Sequence, residues 1–152
     1  RERLGGMPDA KYIHASFQEI LRENLLEGPY DFIVSSLAIH HLTLDEKKAL
    51  FKKAHSLLNP GGRFVNIDVV LAPSETLEQW YLALWKEWID ERKRSLGITG
   101  DQFDGIIQQY KDAEENKPDT LHDQLKALSI AGFKDVDCYY KYGIFTMFGG
   151  RR

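Results

Sequence analysis

Cysteine is almost absent. Cys138 stands alone, so no disulfide can form within the chain, and a reducing, cytoplasmic setting is expected. Long apolar runs are missing too. No stretch approaches the roughly 20 apolar residues that a bilayer span requires, which argues against a membrane-spanning helix. There is no basic excess either: the formal net charge is -3 with 28% charged residues. The densest basic cluster, Arg92-Lys93-Arg94, reads as a solvated helix end. A sequence-independent nucleic-acid binder needs a basic footprint to displace counterions, so that class is disfavoured. No internal repeat and no low-complexity tract is present. Arg1-Glu2-Arg3-Leu4 offers neither a start methionine nor a signal peptide, and it reads as the end of an amphipathic helix begun upstream. The expectation is therefore an N-terminally incomplete domain.

What is present is enough apolar content (43%) for one packed domain over residues 1–152. Short β-like runs alternate with helical stretches, the pattern of an α/β fold with a mostly parallel sheet. Gly5-Gly6 stops the first helix remnant, and Pro8-Asp9 turns the chain into a short strand, Lys11 to Ala15. Phe17 to Leu26 carries a weak helical pattern, and Gly28-Pro29 is a turn. Tyr30 to Ser36 is a near-continuous apolar run, as befits a strand buried on both faces. Thr43-Leu44-Asp45-Glu46 is a capping box opening a helix whose apolar face is Leu50, Phe51, Ala54, Leu57 and Leu58. Asn59-Pro60-Gly61-Gly62 ends that helix, and Arg63 to Val70 is a strong strand.

From Ser74 to about Leu96 apolar residues recur at helical spacing and put Trp80, Trp85 and Trp88 on one broad face, read as core or lid packing. Thr99-Gly100-Asp101-Gln102 is read as a second capping box, opening a helix with Phe103, Ile106, Ile107 and Tyr110 aligned. Residues 74–118 thus form a helical lid or insert. Thr120 caps a further helix closed by Gly132. Asp135 to Tyr142 and Ile144 to Phe148 read as a closing antiparallel strand pair.

Three segments carry chemistry-bearing signals together. Tyr30-Asp31-Phe32-Ile33-Val34-Ser35-Ser36-Leu37-Ala38-Ile39-His40-His41-Leu42 runs a buried strand into a small polar-edged loop, where open α/β sheets hold ligands. This segment resembles the fourth strand and following loop of class I S-adenosylmethionine-dependent methyltransferases. Asn59-Pro60-Gly61-Gly62-Arg63 resembles their "L-x-P-G-G" turn before strand five, and Ile130-Ala131-Gly132-Phe133 their "A-G-F" before strand six. The long insert after Asp68 and the ending Tyr140 to Gly150 are similar to small stand-alone bacterial and archaeal enzymes of the ubiquinone and tRNA carboxymethyl-uridine types.

The resemblance implies a Rossmann-like sheet of order 3-2-1-4-5-7-6 that here lacks strands 1 and 2. It also implies S-adenosylmethionine as cofactor of the complete protein and a small-molecule methyl acceptor. The family's "D-x-G-x-G-x-G" turn and its ribose-binding acid would lie upstream of Arg1, so these residues alone are expected to bind the cofactor poorly. Strand three would either pair directly with strand four or leave an exposed edge through which the chain forms a homodimer. By position in the family, Ser16, Phe17, Ser36, Leu37 and His41 are the cofactor-binding candidates. His41 is also the candidate catalytic base, with His40 behind it. His40, Asp68, Tyr81 and Trp85 are the acceptor-pocket candidates. Adjacent histidines on regular structure point to different sides, so no shared metal site is expected. Cys138 reads as an inert buried thiol. Two other readings stand beside methyl transfer to a small molecule: a tRNA- or cofactor-modifying relative of the same fold, and a truncated, non-catalytic dimerisation module.

Overall fold

A computed structural model describes residues 10–101 and 103–152. The readings placed on Arg1 to Asp9 and on Gln102 lie outside the described residues. Five helices and four strands follow in the order α1 (Phe17–Arg22), β1 (Tyr30–Ser36), α2 (Leu44–Leu57), β2 (Leu58–Val69), α3 (Glu75–Ser95), α4 (Ile106–Asp112), α5 (Leu121–Ile130), β3 (Lys134–Tyr142) and β4 (Phe145–Arg151). A single 3-10 turn, Ile39–His41, links β1 to α2. The sheet order is β1-β2-β4-β3. β1 runs parallel to β2, and β4 pairs antiparallel with β2 on one side and β3 on the other. This is the 4-5-7-6 half of the expected sheet, with the expected antiparallel pair at its end.

Local chemistry accounts for the well-signalled elements. Thr43 caps α2 by accepting from the Glu46 amide while Glu46 reaches back to the Thr43 amide, and Thr120 caps α5 through the Asp123 amide. Gly132 ends α5 at φ +106, a conformation that favours glycine. α2 and α5 cover one face of the sheet, where Phe51, Phe64, Phe133, Phe148, Leu50, Ala54, Ala127 and Leu128 form the core. The Phe64 ring lies 5.5 Å from Phe51 and 5.8 Å from Phe133. Alternation along β2 then buries Asn66 and Asp68 on that same face, at the carboxyl end of the sheet. No helix among the described residues is long and apolar enough to cross a membrane.

Several expectations are corrected. Lys11 to Ala15 is not a strand. No strand flanks the outer side of β1 among the described residues, and an extended segment with no ladder partner leaves its amides to water. Tyr12 and Ile13 are accordingly exposed. Direct pairing of that segment with β1 therefore does not occur. The weak helix ends at Arg22 instead of Leu26, because Glu23 turns extended. The β2 pairing starts at Leu58, upstream of Arg63, with a register irregularity that absorbs Asn59 to Gly62. α4 begins only at Ile106, after a left-handed Gly105, so Thr99 opens no helix. Of the three tryptophans only Trp85 is packed, edge-on to Phe145 (5.2 Å) and Tyr110 (5.6 Å). Trp80 and Trp88 are 57% and 49% exposed. At 3.6 residues per turn Trp80 and Trp85 lie roughly 140° apart, too wide for one buried stripe.

The Glu46 cap gives a testable pH dependence. Hydrogen bonds from the Gln18 side chain first, and then from the Thr43 amide and hydroxyl, lower its pKa from 4.5 to about 2. A depressed carboxylate contributes stability above its unfolded pKa and loses it as pH falls from about 4.5 toward 2. The stability difference between the protein and a Glu46→Gln variant, measured by urea unfolding at pH 6, 4 and 3, should therefore shrink steadily. A difference that stays constant across that range would sink the assignment.

Candidate active site

The loop between β1 and α2 is held in an uncommon shape. Leu37 sits at φ +48, a left-handed conformation that costs a non-glycine residue about 1–3 kcal/mol. Its amide donates to Ile67 O at 2.8 Å, which ties the loop to the end of β2. The chain then makes the tight turn that carries His40 and His41.

Asp68, buried at the carboxyl end of β2, fixes that turn. Its Oδ2 accepts from the His40 amide (3.0 Å), its Oδ1 from the Val69 amide (2.9 Å), and Oδ1 lies 2.6 Å from His40 Nδ1. A carboxylate only accepts, so His40 Nδ1 carries the proton of that bond, and Nε2 is the ring nitrogen left to exchange one. His41 follows the same logic. Its Nδ1 lies 3.3 Å from Glu115 O, a carbonyl that can only accept, so Nε2 is again the basic atom. His40 is buried and His41 is exposed, and their ring centroids are 4.0 Å apart. The expectation that the two point to different sides is corrected here: a single 3-10 turn bound at both ends brings the rings together.

A strap formed by Glu115 to Thr120 closes over this turn. The Lys117 amide donates to His40 O (2.8 Å) and the Leu71 amide to Asp119 O (3.0 Å). Lys47 of α2 has a fully buried side chain, and its Nζ lies 2.5 Å from both Lys117 O and Asp119 Oδ2. Gln124 of α5 also donates to Asp119 O, at 3.2 Å. Buried polar groups satisfied by partners from four elements make a rigid support.

Two cavities lie near this turn, and neither His40 nor His41 lines either of them. On the α1 side of β1 lies a groove of about 340 Å³ walled by Phe17, Ile20, Ile33, Ser36, Ala38 and Ile39, among others. Beyond β2 lies a cavity of about 170 Å³ lined by Val70, Leu71, Ala72, Leu82, Tyr110 and Ile144, with Glu78, Lys111 and Asn116 among its polar residues.

The structure thus brings His40, His41 and Asp68 together, with Ser36 and Leu37 immediately before them. Ser16 spends its hydroxyl on the α1 cap, accepting from the Glu19 amide (3.2 Å) and donating to Glu19 Oε2 (2.7 Å), while Phe17 lines the groove. Tyr81 packs under Lys141 (3.8 Å to the ring), and Trp85 packs against Phe145. Neither Tyr81 nor Trp85 lines either cavity. Tyr110 and Lys47 are the functional-site neighbours that sequence reasoning missed. Tyr110 stood in the aligned helix face, and only its place beside Asp68 distinguishes it.

A family profile described as a methyltransferase domain matches residues 1–66. Carboxy-S-adenosyl-L-methionine synthase of Chromohalobacter salexigens is 28% identical over 116 residues, which is 75% of this chain and 40% of that protein. Phosphoethanolamine N-methyltransferase of Plasmodium falciparum is 32% identical over 89 residues, 59% of this chain and 32% of that protein. In fold, the S-adenosylmethionine-dependent methyltransferase SibL superposes with a TM-score of 0.64 at 14% identity, over 99% of this chain and 39% of its own. The chain is thus similar to methyltransferases in sequence over residues 1–66 and in fold over nearly its whole length. It spans two fifths or less of each of these three proteins.

In a methyltransferase sheet the ligands sit beyond the carboxyl ends of the parallel strands. That is where the groove reaches Ser36 and where the Asp68-bound histidines stand. The groove is mostly apolar, with two phenyl rings and two serines on its wall, which suits the flat face and polar edge of a purine. Among the described residues its wall has no carboxylate to accept from a ribose. The residues present therefore fit one side of the cofactor.

Proposed function

We propose that the protein transfers a methyl group from S-adenosylmethionine to a small-molecule acceptor. The observation that carries this reading is the histidine pair at the carboxyl end of β1, locked by Asp68, with His41 exposed and the apolar groove ending at Ser36, Ala38 and Ile39 just before the turn. Of the relatives named above, the phosphoethanolamine N-methyltransferase supports the same chemistry. When bound, the cofactor supplies a methyl group activated by the positive charge on its sulfur. Phe17, Ser36 and Leu37 would hold its adenosine side. His41 Nε2 accepts the proton that an acceptor hydroxyl or amine releases as its heteroatom bonds to the methyl carbon. His40 and Asp68 position His41 without touching the reacting atoms. Residues 74–118 act as the lid over the acceptor, and excluding water there keeps the nucleophile aligned with the methyl carbon.

The test is methyl-labelled S-adenosylmethionine with the full-length protein and a panel of small alcohols and amines. Label should appear on an acceptor together with S-adenosylhomocysteine. Label that never leaves the cofactor would reject methyl transfer. His41→Ala should lower kcat about 10²-fold or more while leaving affinity for S-adenosylhomocysteine within a few-fold. Unchanged turnover would remove His41 from the chemistry.

A further inference from the structure

The cavity beyond β2 is separate from the groove beside β1. The two share no lining residue. Its walls are Val70, Leu71 and Ala72 from the end of β2, Leu82 of α3, Ile144, and Tyr110 of α4. About 170 Å³ is close to the roughly 150 Å³ of an apolar cavity known to hold benzene. It therefore admits one ring or a short branched chain.

The polar groups around it restrict the ligand's charge. Glu78 and Lys111, the two charged residues of its lining, pair with each other at 3.7 Å. A charged ligand of either sign therefore finds no free counter-charge there. Tyr110 is different. Its hydrogen bond beyond α4 is made by its carbonyl, which accepts from Asn116 Nδ2 at 2.9 Å. Its hydroxyl has no hydrogen-bond partner among the described residues and is not fully buried, and Tyr110 lines the cavity. Burial first, and then the Asp68 and Glu78 carboxylates, push the phenol up to about 12, so it stays a neutral hydroxyl that both donates and accepts.

We infer that this cavity is the acceptor pocket, that it takes a small uncharged alcohol or phenol, and that the Tyr110 hydroxyl hydrogen-bonds the ligand oxygen. The inference rests on the methyl-transfer reading for the word acceptor, while the binding itself can be measured without cofactor.

The experiment is an NMR titration of the cofactor-free protein with phenol, followed through backbone amides. Saturable shifts should centre on Leu71, Ala72, Tyr110 and Ile144. Benzoate, the same ring with a negative charge, should give none at equal concentration, and benzylamine should bind more weakly than phenol. Tyr110→Phe keeps the ring packed against Trp85 and should weaken phenol about tenfold by removing one hydrogen bond. Benzoate binding as well as phenol, shifts centred on the Phe17 groove, or an unchanged Tyr110→Phe affinity would each overturn the inference. Phenol binding as described with no labelled product from any acceptor would reject methyl transfer and leave the cavity's chemistry intact. A labelled acceptor with no phenol binding would do the reverse.

Discussion

Lys47→Met should lower the free energy of unfolding by about 3 kcal/mol, seen as a lower urea midpoint with an unchanged slope. The Lys47 side chain is fully buried and gives its protons to a backbone carbonyl and a carboxylate. Methionine keeps most of the volume but leaves both acceptors without a donor, and that desolvation cost dominates. Asp119 is 23% exposed, so water relieves part of it and holds the loss at the low end of the range for broken buried pairs. Adding Asp119→Leu removes the stranded charge and should recover part of the loss. A single-variant cost below about 1 kcal/mol would mean that water replaces the amine, and the strap would then not depend on it.

Gly149→Ala should be at least as damaging, costing about 3 kcal/mol or more through overpacking. Gly149 lies in β4 opposite Val65 of β2. A methyl group there would run into the carbonyl oxygen of Phe64 and stand 3.0 Å from its carbon and 3.1 Å from Val65 Cα. All three are backbone atoms of a central strand, so the only relief is to part β2 from β4. The neighbouring Gly150→Ala is the control. Its methyl would meet the side chains of Phe133 and Val136 at 3.0 Å and the Lys134 carbonyl at 3.1 Å. Side chains yield more readily than backbone, and a loss of about 1–2 kcal/mol is expected. Equal losses in thermal or urea unfolding would refute the backbone explanation.

The second half of the sheet could be read from residues 30–70 and 120–150 because each turn there carries its own local signal. Thr43 and Thr120 caps and Gly132 act within a few residues, and the structure places the helix ends accordingly, while Asn59 to Gly62 ends α2 but falls inside β2. Lys11 to Ala15 and Thr99 failed for the opposite reason. A strand needs a partner that local pattern cannot supply, and Gly105 outweighed the hydroxyl cap upstream of it. The turn bearing His40 and His41 was legible by its place after β1, although that strand is not buried on both faces as its apolar run suggested: Phe32 and Val34 are exposed. The Asp68 bond, 28 residues away, was not, since nothing in the spacing tells a loop-capping aspartate from one that orients an imidazole. Lys47 lies among Asp45, Glu46 and Lys48 and looks like part of a solvated helix face. Only the returning strap buries it.

That strap also determines when the site comes into being. Its ties to His41 and Lys47 join residues 74, 70 and 72 apart in sequence, and contacts so distant close late, after the intervening chain has folded. The imidazole orientations are therefore a product of completed folding. Amide exchange at His40 and Lys117 should follow the slow, whole-molecule opening and not the faster breathing of surface loops.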